Sequence, residues 1–85
     1  MNDQVAFAVA RNNTIGIDIL WQLAQHPNRS VRQVISGSAR LSAYPELMKQ
    51  LAFDEDEGVR VGCYRRDMPQ ELREEMEKRY GYSLD

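Results

Sequence analysis

Apolar residues along this chain recur at intervals of three and four, not two. Ile17, Leu20, Trp21 and Ala24 stand at i, i+3, i+4 and i+7, and the pairs Leu47–Leu51 and Leu72–Met76, with Tyr80 beyond, keep the four-residue spacing. That period puts the apolar side chains on one face of a helix, whereas a strand would alternate. Turn-forming clusters interrupt it: Asn12-Asn13-Thr14-Ile15-Gly16, His26-Pro27-Asn28 and Asp54-Glu55-Asp56-Glu57-Gly58. The pattern predicts an all-α fold with six short helices, at roughly 3–11, 16–26, 30–37, 44–53, 57–66 and 69–80. Ser30 suits the cap of a helix starting at Val31. Pro45 and Pro69 suit first turns, where a missing N–H costs nothing. Asp67 and Gln70 have the spacing of a capping box. Glu74–Lys78 and Glu75–Arg79 are ordered favourably for i, i+4 pairing. Val34-Ile35-Ser36-Gly37-Ser38-Ala39 contains poor helix formers, and a short α or 3₁₀ turn is expected there.

The helices repeat. Leu23-Ala24 is followed, eight residues after the leucine, by Val31-Arg32, and Leu51-Ala52 is followed at the same distance by Val59-Arg60. Each leucine has an apolar residue four positions before it, Ile19 and Leu47. Leu72 and Met76 form a degenerate third copy, and Val5-Ala6-Phe7-Ala8-Val9-Ala10 an initial half-copy. The anchors Val5, Val31 and Val59 lie 26 and 28 residues apart. Periods of this length indicate stacked units that cannot bury their apolar faces alone. The expected architecture is one helical-repeat domain over residues 1–85, an α-solenoid of about three helix pairs. The residues in register, Val5, Val9, Ile19, Leu23, Val31, Ile35, Leu47, Leu51, Val59, Cys63, Leu72 and Met76, form the expected core.

The Leu-Ala…Val-Arg motif resembles the variant leucine-rich repeat and is similar to the wider group of HEAT-like helical repeats. The matching residues are Leu23, Ala24, Val31 and Arg32, then Leu51, Ala52, Asp54, Val59 and Arg60. Pro45-Glu46-Leu47 and Pro69-Gln70-Glu71-Leu72 look like that family's proline-initiated second helix, and the likeness runs from about Val5 to Tyr80. It implies a right-handed stack of short paired helices serving as a binding scaffold. Some members carry an N-terminal iron–sulfur cluster on several cysteines, which this chain lacks. The family favours Asn-Pro after the first helix, where this chain has Asn12-Asn13, Gly37-Ser38 and Arg66-Asp67.

Composition narrows the chemistry. With 42% hydrophobic and 28% charged residues, the chain is too apolar for disorder and too charged for a membrane protein. Its 11 basic and 13 acidic residues leave a net charge of −2, against the basic excess of a dedicated nucleic-acid binder. One cysteine excludes an internal disulfide framework. Met1-Asn2-Asp3-Gln4 lacks the features of a signal peptide, so a reducing cytoplasm is expected. One histidine and one cysteine build no zinc site, and the scattered glycines build no phosphate loop. A Cys63–His26 pair is formally available, but Cys63 falls where the other units have Val9 and Ile35, and reads as a small buried apolar residue. The run Asp54–Gly58 lacks calcium-loop spacing and reads as a solvated linker with acids near a helix N-terminus. No metal, cofactor or catalytic site is expected.

The remaining candidates concern binding. Arg32 and Arg60 are repeat-equivalent, as are Arg11 and Arg65, with Arg40 and Arg66 nearby. Stacking would turn them into a row that either meets phosphates or an acidic partner, or packs against helix ends. The helix at Ile17–Ala24 is apolar around more than half its circumference, and Trp21 offers contact area beyond one packing face. Tyr44, Tyr64, Tyr80 and Tyr82 add amphipathic surface. Phe7 lies in an apolar N-terminal run that fits self-pairing into a two-fold dimer through the first helix pair. The expected function is therefore non-enzymatic binding of a protein partner, with Phe7, Trp21, Arg32, Arg60, Arg65 and Arg66 as contact residues. The alternative is nucleic-acid binding through the arginine row.

Overall fold

The computed structural model describes residues 2–12 and 14–84; Asn13, within the first expected breaker, lies outside them, as do Met1 and Asp85. Six α-helices follow one another, with no strand among the described residues: α1 (Asp3–Ala10), α2 (Ile17–Ala24), α3 (Arg29–Ser36), α4 (Pro45–Ala52), α5 (Glu57–Cys63) and α6 (Gln70–Tyr80). A 3₁₀ turn at Ala39–Ala43 joins α3 to α4. The expected irregular stretch thus begins three residues past Ser36. α3 itself stays α-helical to its end, because Val31 and Ile35 are fully buried and packing overrides propensity.

Capping sets the starts. Asn28, not Ser30, caps α3: its Oδ1 accepts the Ser30 N–H at 2.8 Å. Asn2 and Asp56 do the same for α1 and α5, accepting from Val5 N and Val59 N at 2.9 and 3.0 Å. These three caps recur 26 and 28 residues apart, the spacing of the valine anchors. Pro45 opens α4 in its first turn as expected. Pro69 instead precedes α6 with ψ 135°, and Asp67 accepts from Ser42 Oγ at 3.0 Å rather than capping the helix. α6 ends at Gly81, whose φ of 74° is the left-handed turn that lets a helix stop. On its surface Arg79 meets Glu75 at 3.2 Å, while Glu74 accepts from Gln70 at 2.9 Å, taking up the carboxylate expected to pair with Lys78.

α3 packs on both α1 and α5, and α4 touches both α2 and α6, while α2 and α4 back onto α3 and α5. The result is elongated, 35 × 22 × 19 Å. Leu23, Val31, Ile35, Leu47, Leu51, Val59, Cys63 and Met76 form the core with Ala6, Leu20, Ala24, Leu41, Met48, Ala52 and Met68. Val9, Ile19 and Leu72 are only half-buried. Val5 departs from expectation, being 48% exposed. It is in register with Val31 and Val59, but α1 packs mainly on α2 and α3, and among the described residues no further helix packs on its other side. Among the described residues, no helix is long and apolar enough to cross a membrane.

α3 and α5 approach closely because α5 presents Gly58 and Gly62, one turn apart, to α3. A Cβ on Gly62 would collide with Ser36 Oγ, and one on Gly58 with the Gln33 amide.

Candidate functional site

Three members of the arginine row, Arg32, Arg60 and Arg65, turn their guanidinium donors onto the chain itself, while Arg11 and Arg66 are exposed. Arg32 is 8% exposed. Its Nη1 donates to the carbonyls of His26 and Pro27 at 2.7 and 3.2 Å, satisfying backbone acceptors just past the end of α2. Its Nε and Nη2 fork onto the two Asp54 carboxylate oxygens at 3.0 and 3.3 Å. Arg60 repeats the arrangement one unit on. Its Nη1 donates to the carbonyls of Asp54 and Glu55 at 2.9 and 3.1 Å, and its Nε donates to the Tyr82 hydroxyl at 3.3 Å. Each arginine thus ties the loop before its helix to a side chain 22 positions further along. Arg65 spans units differently, donating to the carbonyls of Ser36 and Ser38 at 2.6 and 3.0 Å.

These bonds change the reading of the acidic run. Asp54 is not a solvated linker residue: its side chain is 11% exposed and takes Arg32 and the Asp56 N–H. Asp56 takes Gln33, Val59 N and, at 3.8 Å, Arg29; the Gln33 amide and then the Val59 N–H hold its carboxyl below the usual range. Arg66 is exposed, and its carbonyl accepts from Arg73.

The aromatic candidates are also largely internal. Phe7 and Trp21 are half-buried against the core. Tyr82 lies 5.5 Å, ring centre to ring centre, from both Tyr64 and Tyr80, and Tyr80 lies 6.4 Å from Phe53. Arg60 stacks over Tyr80 at 4.4 Å, and Arg79 over Phe53 at 4.7 Å. Tyr64 donates to Glu77, so the cluster binds α6 and the following segment onto α5.

Cys63 and His26 occupy separate environments. The Cys63 thiol is fully buried and donates to the Met48 carbonyl at 3.3 Å. Burial pushes its pKa up to about 11, against the activation a nucleophile needs. His26 Nδ1 accepts from Asn28 N at 3.1 Å, and its Nε2 lies 3.9 Å from Asp3. No group of three or more His, Cys, Asp or Glu among the described residues converges as metal ligands would.

A feature the sequence did not single out lies between α4 and α6. A groove of about 670 Å³ is lined by Pro45, Glu46, Lys49, Phe53, Pro69, Glu71, Leu72, Glu75 and Arg79. Its lining mixes apolar residues, the two prolines, Phe53 and Leu72, with charges of both signs, and Arg79 lies over the Phe53 ring. The matched Pro-Glu-Leu and Pro-Gln-Glu-Leu openings were the available signal: they mark two similar helices, and the furrow runs along both, from Pro45 and Pro69 to Phe53 and Arg79.

Comparison with protein-family models, with curated proteins and with solved structures returns no match.

Proposed function

We propose that the chain is a short right-handed α-solenoid of about three helix pairs that acts without catalysis, as a module binding a protein partner in the groove between α4 and α6. The observation carrying this reading is the groove itself, a furrow between two neighbouring helices lined by apolar side chains and by charges of both signs, the kind of surface that receives a peptide or helix. The stacked-repeat part draws support from the equivalent bonds of Arg32 and Arg60 and from the order α1, α3, α5 in which the odd helices touch. A reducing cytoplasm is the setting in which a single buried thiol is ordinary.

The alternative, phosphate binding along an arginine row, loses weight. The guanidinium donors of Arg32, Arg60 and Arg65 that a phosphate would use are directed to carbonyls, Asp54 and Tyr82. The deciding experiment is affinity capture from nuclease-treated native extract. The baits are the wild-type chain, a groove variant Lys49→Glu/Glu71→Arg, and a control Lys78→Glu on another part of α6. Capture should survive nuclease, fall about tenfold or more with the groove variant, and hold with the control. Capture that vanishes with nuclease, or that the groove variant retains in full, would sink the reading.

A further inference from the structure

The two junctions between odd-numbered helices obey one rule, and the molecule carries the two halves of a third. At the first junction Asn28, capping α3, donates its Nδ2 to Asp3, the first residue of α1, at 2.9 Å. At the second, Asp56, capping α5, faces Arg29, the first residue of α3, at 3.8 Å and accepts from Gln33 at 3.1 Å. In each case the first residue of one helix meets the cap of the next with the opposite hydrogen-bonding character.

α5 starts with Glu57, an exposed carboxylate that feels the charge of Arg60 but makes no hydrogen bond and no ion pair within 4.0 Å among the described residues. α1 is capped by Asn2, whose Oδ1 is used by Val5 N while its amide N–H₂ donates to none of the described residues. Glu57 and Asn2 are the same chemical pair as Asp3 and Asn28. The apolar faces beside them are uncovered as well. Val61 on α5 is 51% exposed, at the position Gln33 holds when it lies against Gly58. On α1, Val5 is 48% exposed, and exposed Ala8 holds the position of Gly62, the small residue that lets α5 sit down on α3.

We infer that a second copy of this chain stacks its α1 on the outer face of α5, head to tail, continuing the order α1, α3, α5 across molecules with Asn2 donating to Glu57. The surfaces joined are different, so the contact does not close on itself and the chains extend. Of the two junctions only α3–α5 carries an arginine clamp, Arg32 onto Asp54; Arg60 on α5 is engaged with Tyr82 of its own chain, so the proposed junction lacks such a clamp and is reversible. The inference rests on the stacked-repeat reading of the fold and not on the groove; the capture experiment and the one below fail independently.

Sedimentation equilibrium over a concentration series tests it. The wild-type mass should climb past two chains without a plateau as concentration rises to millimolar. Val61→Glu and Ala8→Glu, both at exposed positions and checked for an unchanged melting curve, should each hold the protein at single-chain mass. Mixed together, the two variants retain one competent face apiece and should form a dimer and nothing larger. Asn2→Asp keeps the cap but opposes Glu57, and should reduce association; adding Glu57→Lys in the same chain should restore it through a pair like Arg29–Asp56. A wild-type chain that stays monomeric, a wild-type mass that stops at two as a two-fold dimer would, or a variant mixture that stays monomeric each overturns the inference.

Discussion

Arginines in equivalent positions differ in what they hold, and the differences set an order of stabilities. Arg32 is buried and forked onto a buried carboxylate, so Arg32→Ala leaves Asp54 without its counter-charge and two loop carbonyls without a donor. Breaking such a pair costs about 3 kcal/mol. Arg60 is half-buried and binds two carbonyls, a neutral hydroxyl and a ring face; Arg60→Ala should cost about 1–2 kcal/mol. Arg66→Ala, at an exposed position, should stay within about 0.5 kcal/mol. Urea melts of the three variants check the order, and an Arg66→Ala cost equal to that of Arg32→Ala would show that burial does not govern it. Cys63 gives a second prediction at this scale. Its folded pKa, pushed up to about 11 from 9.0, means that the folded state keeps a proton the unfolded state has released. Stability should therefore fall as pH climbs from about 9 towards 11, and Cys63→Ala should lose that component of the slope. In native buffer the thiol should react slowly with a thiol reagent, and rapidly in denaturant.

At the scale of elements, the two α5 glycines separate propensity from packing. Gly58→Ala meets the far end of Gln33, which can swing away at the cost of its exposed bond to Asp56, and its Cβ stands 3.0 Å from Asp56 Oδ2; helix propensity should leave it neutral to about 0.5 kcal/mol more stable. Gly62→Ala meets Ser36 Oγ, which is buried and donates to the Gln33 carbonyl at 2.8 Å. Overpacking there should outweigh the propensity gain by about 1 kcal/mol. Thermal melts in which only Gly62→Ala shifts downward would establish the close α3–α5 approach; upward shifts for both would refute it. Gly58 was visible in the sequence as part of a breaker and Gly62 only as one of several scattered glycines; nothing local distinguishes a glycine that ends a helix from one that admits a neighbour. Helix existence was legible because the helices carry their own apolar period and are separated by local breakers, and three of them, α1, α3 and α5, start on a side-chain cap. Asn28 was missed as a cap because Ser30 is an equally good capping residue two positions on; the choice between them depends on Asn28 also reaching Asp3 across the junction.

For the whole molecule, charge and geometry agree about nucleic acid. With a net charge of −2 and its buried arginines committed internally, the chain should show no tight binding to duplex DNA or RNA at physiological salt. Fluorescence anisotropy across a salt series checks this, and strong binding that collapses as salt rises would restore the arginine row as the working surface. Of the expected contact residues, Arg32, Arg60 and Arg65 direct guanidinium donors onto the chain itself and Phe7 and Trp21 are half-buried, whereas the groove was absent from the expected set. A residue's type announces what it can bind, but its neighbours decide whether that capacity is already used.

Helical class, the number of helices and the 26- and 28-residue register follow from the sequence by itself, because they depend on interactions within a few turns of chain and on repetition that can be counted. Eight of the core positions in register are buried for the same reason. The tertiary structure alone decided that Val5 stays exposed while Val31 and Val59 are buried, since identical positions differ only in whether a helix covers them. It also decided that Asp54 is a buried partner of Arg32 rather than a linker residue, and that α4 and α6 leave a groove. Each of these turns on what stands opposite a side chain, a distance in space that the order of residues does not encode.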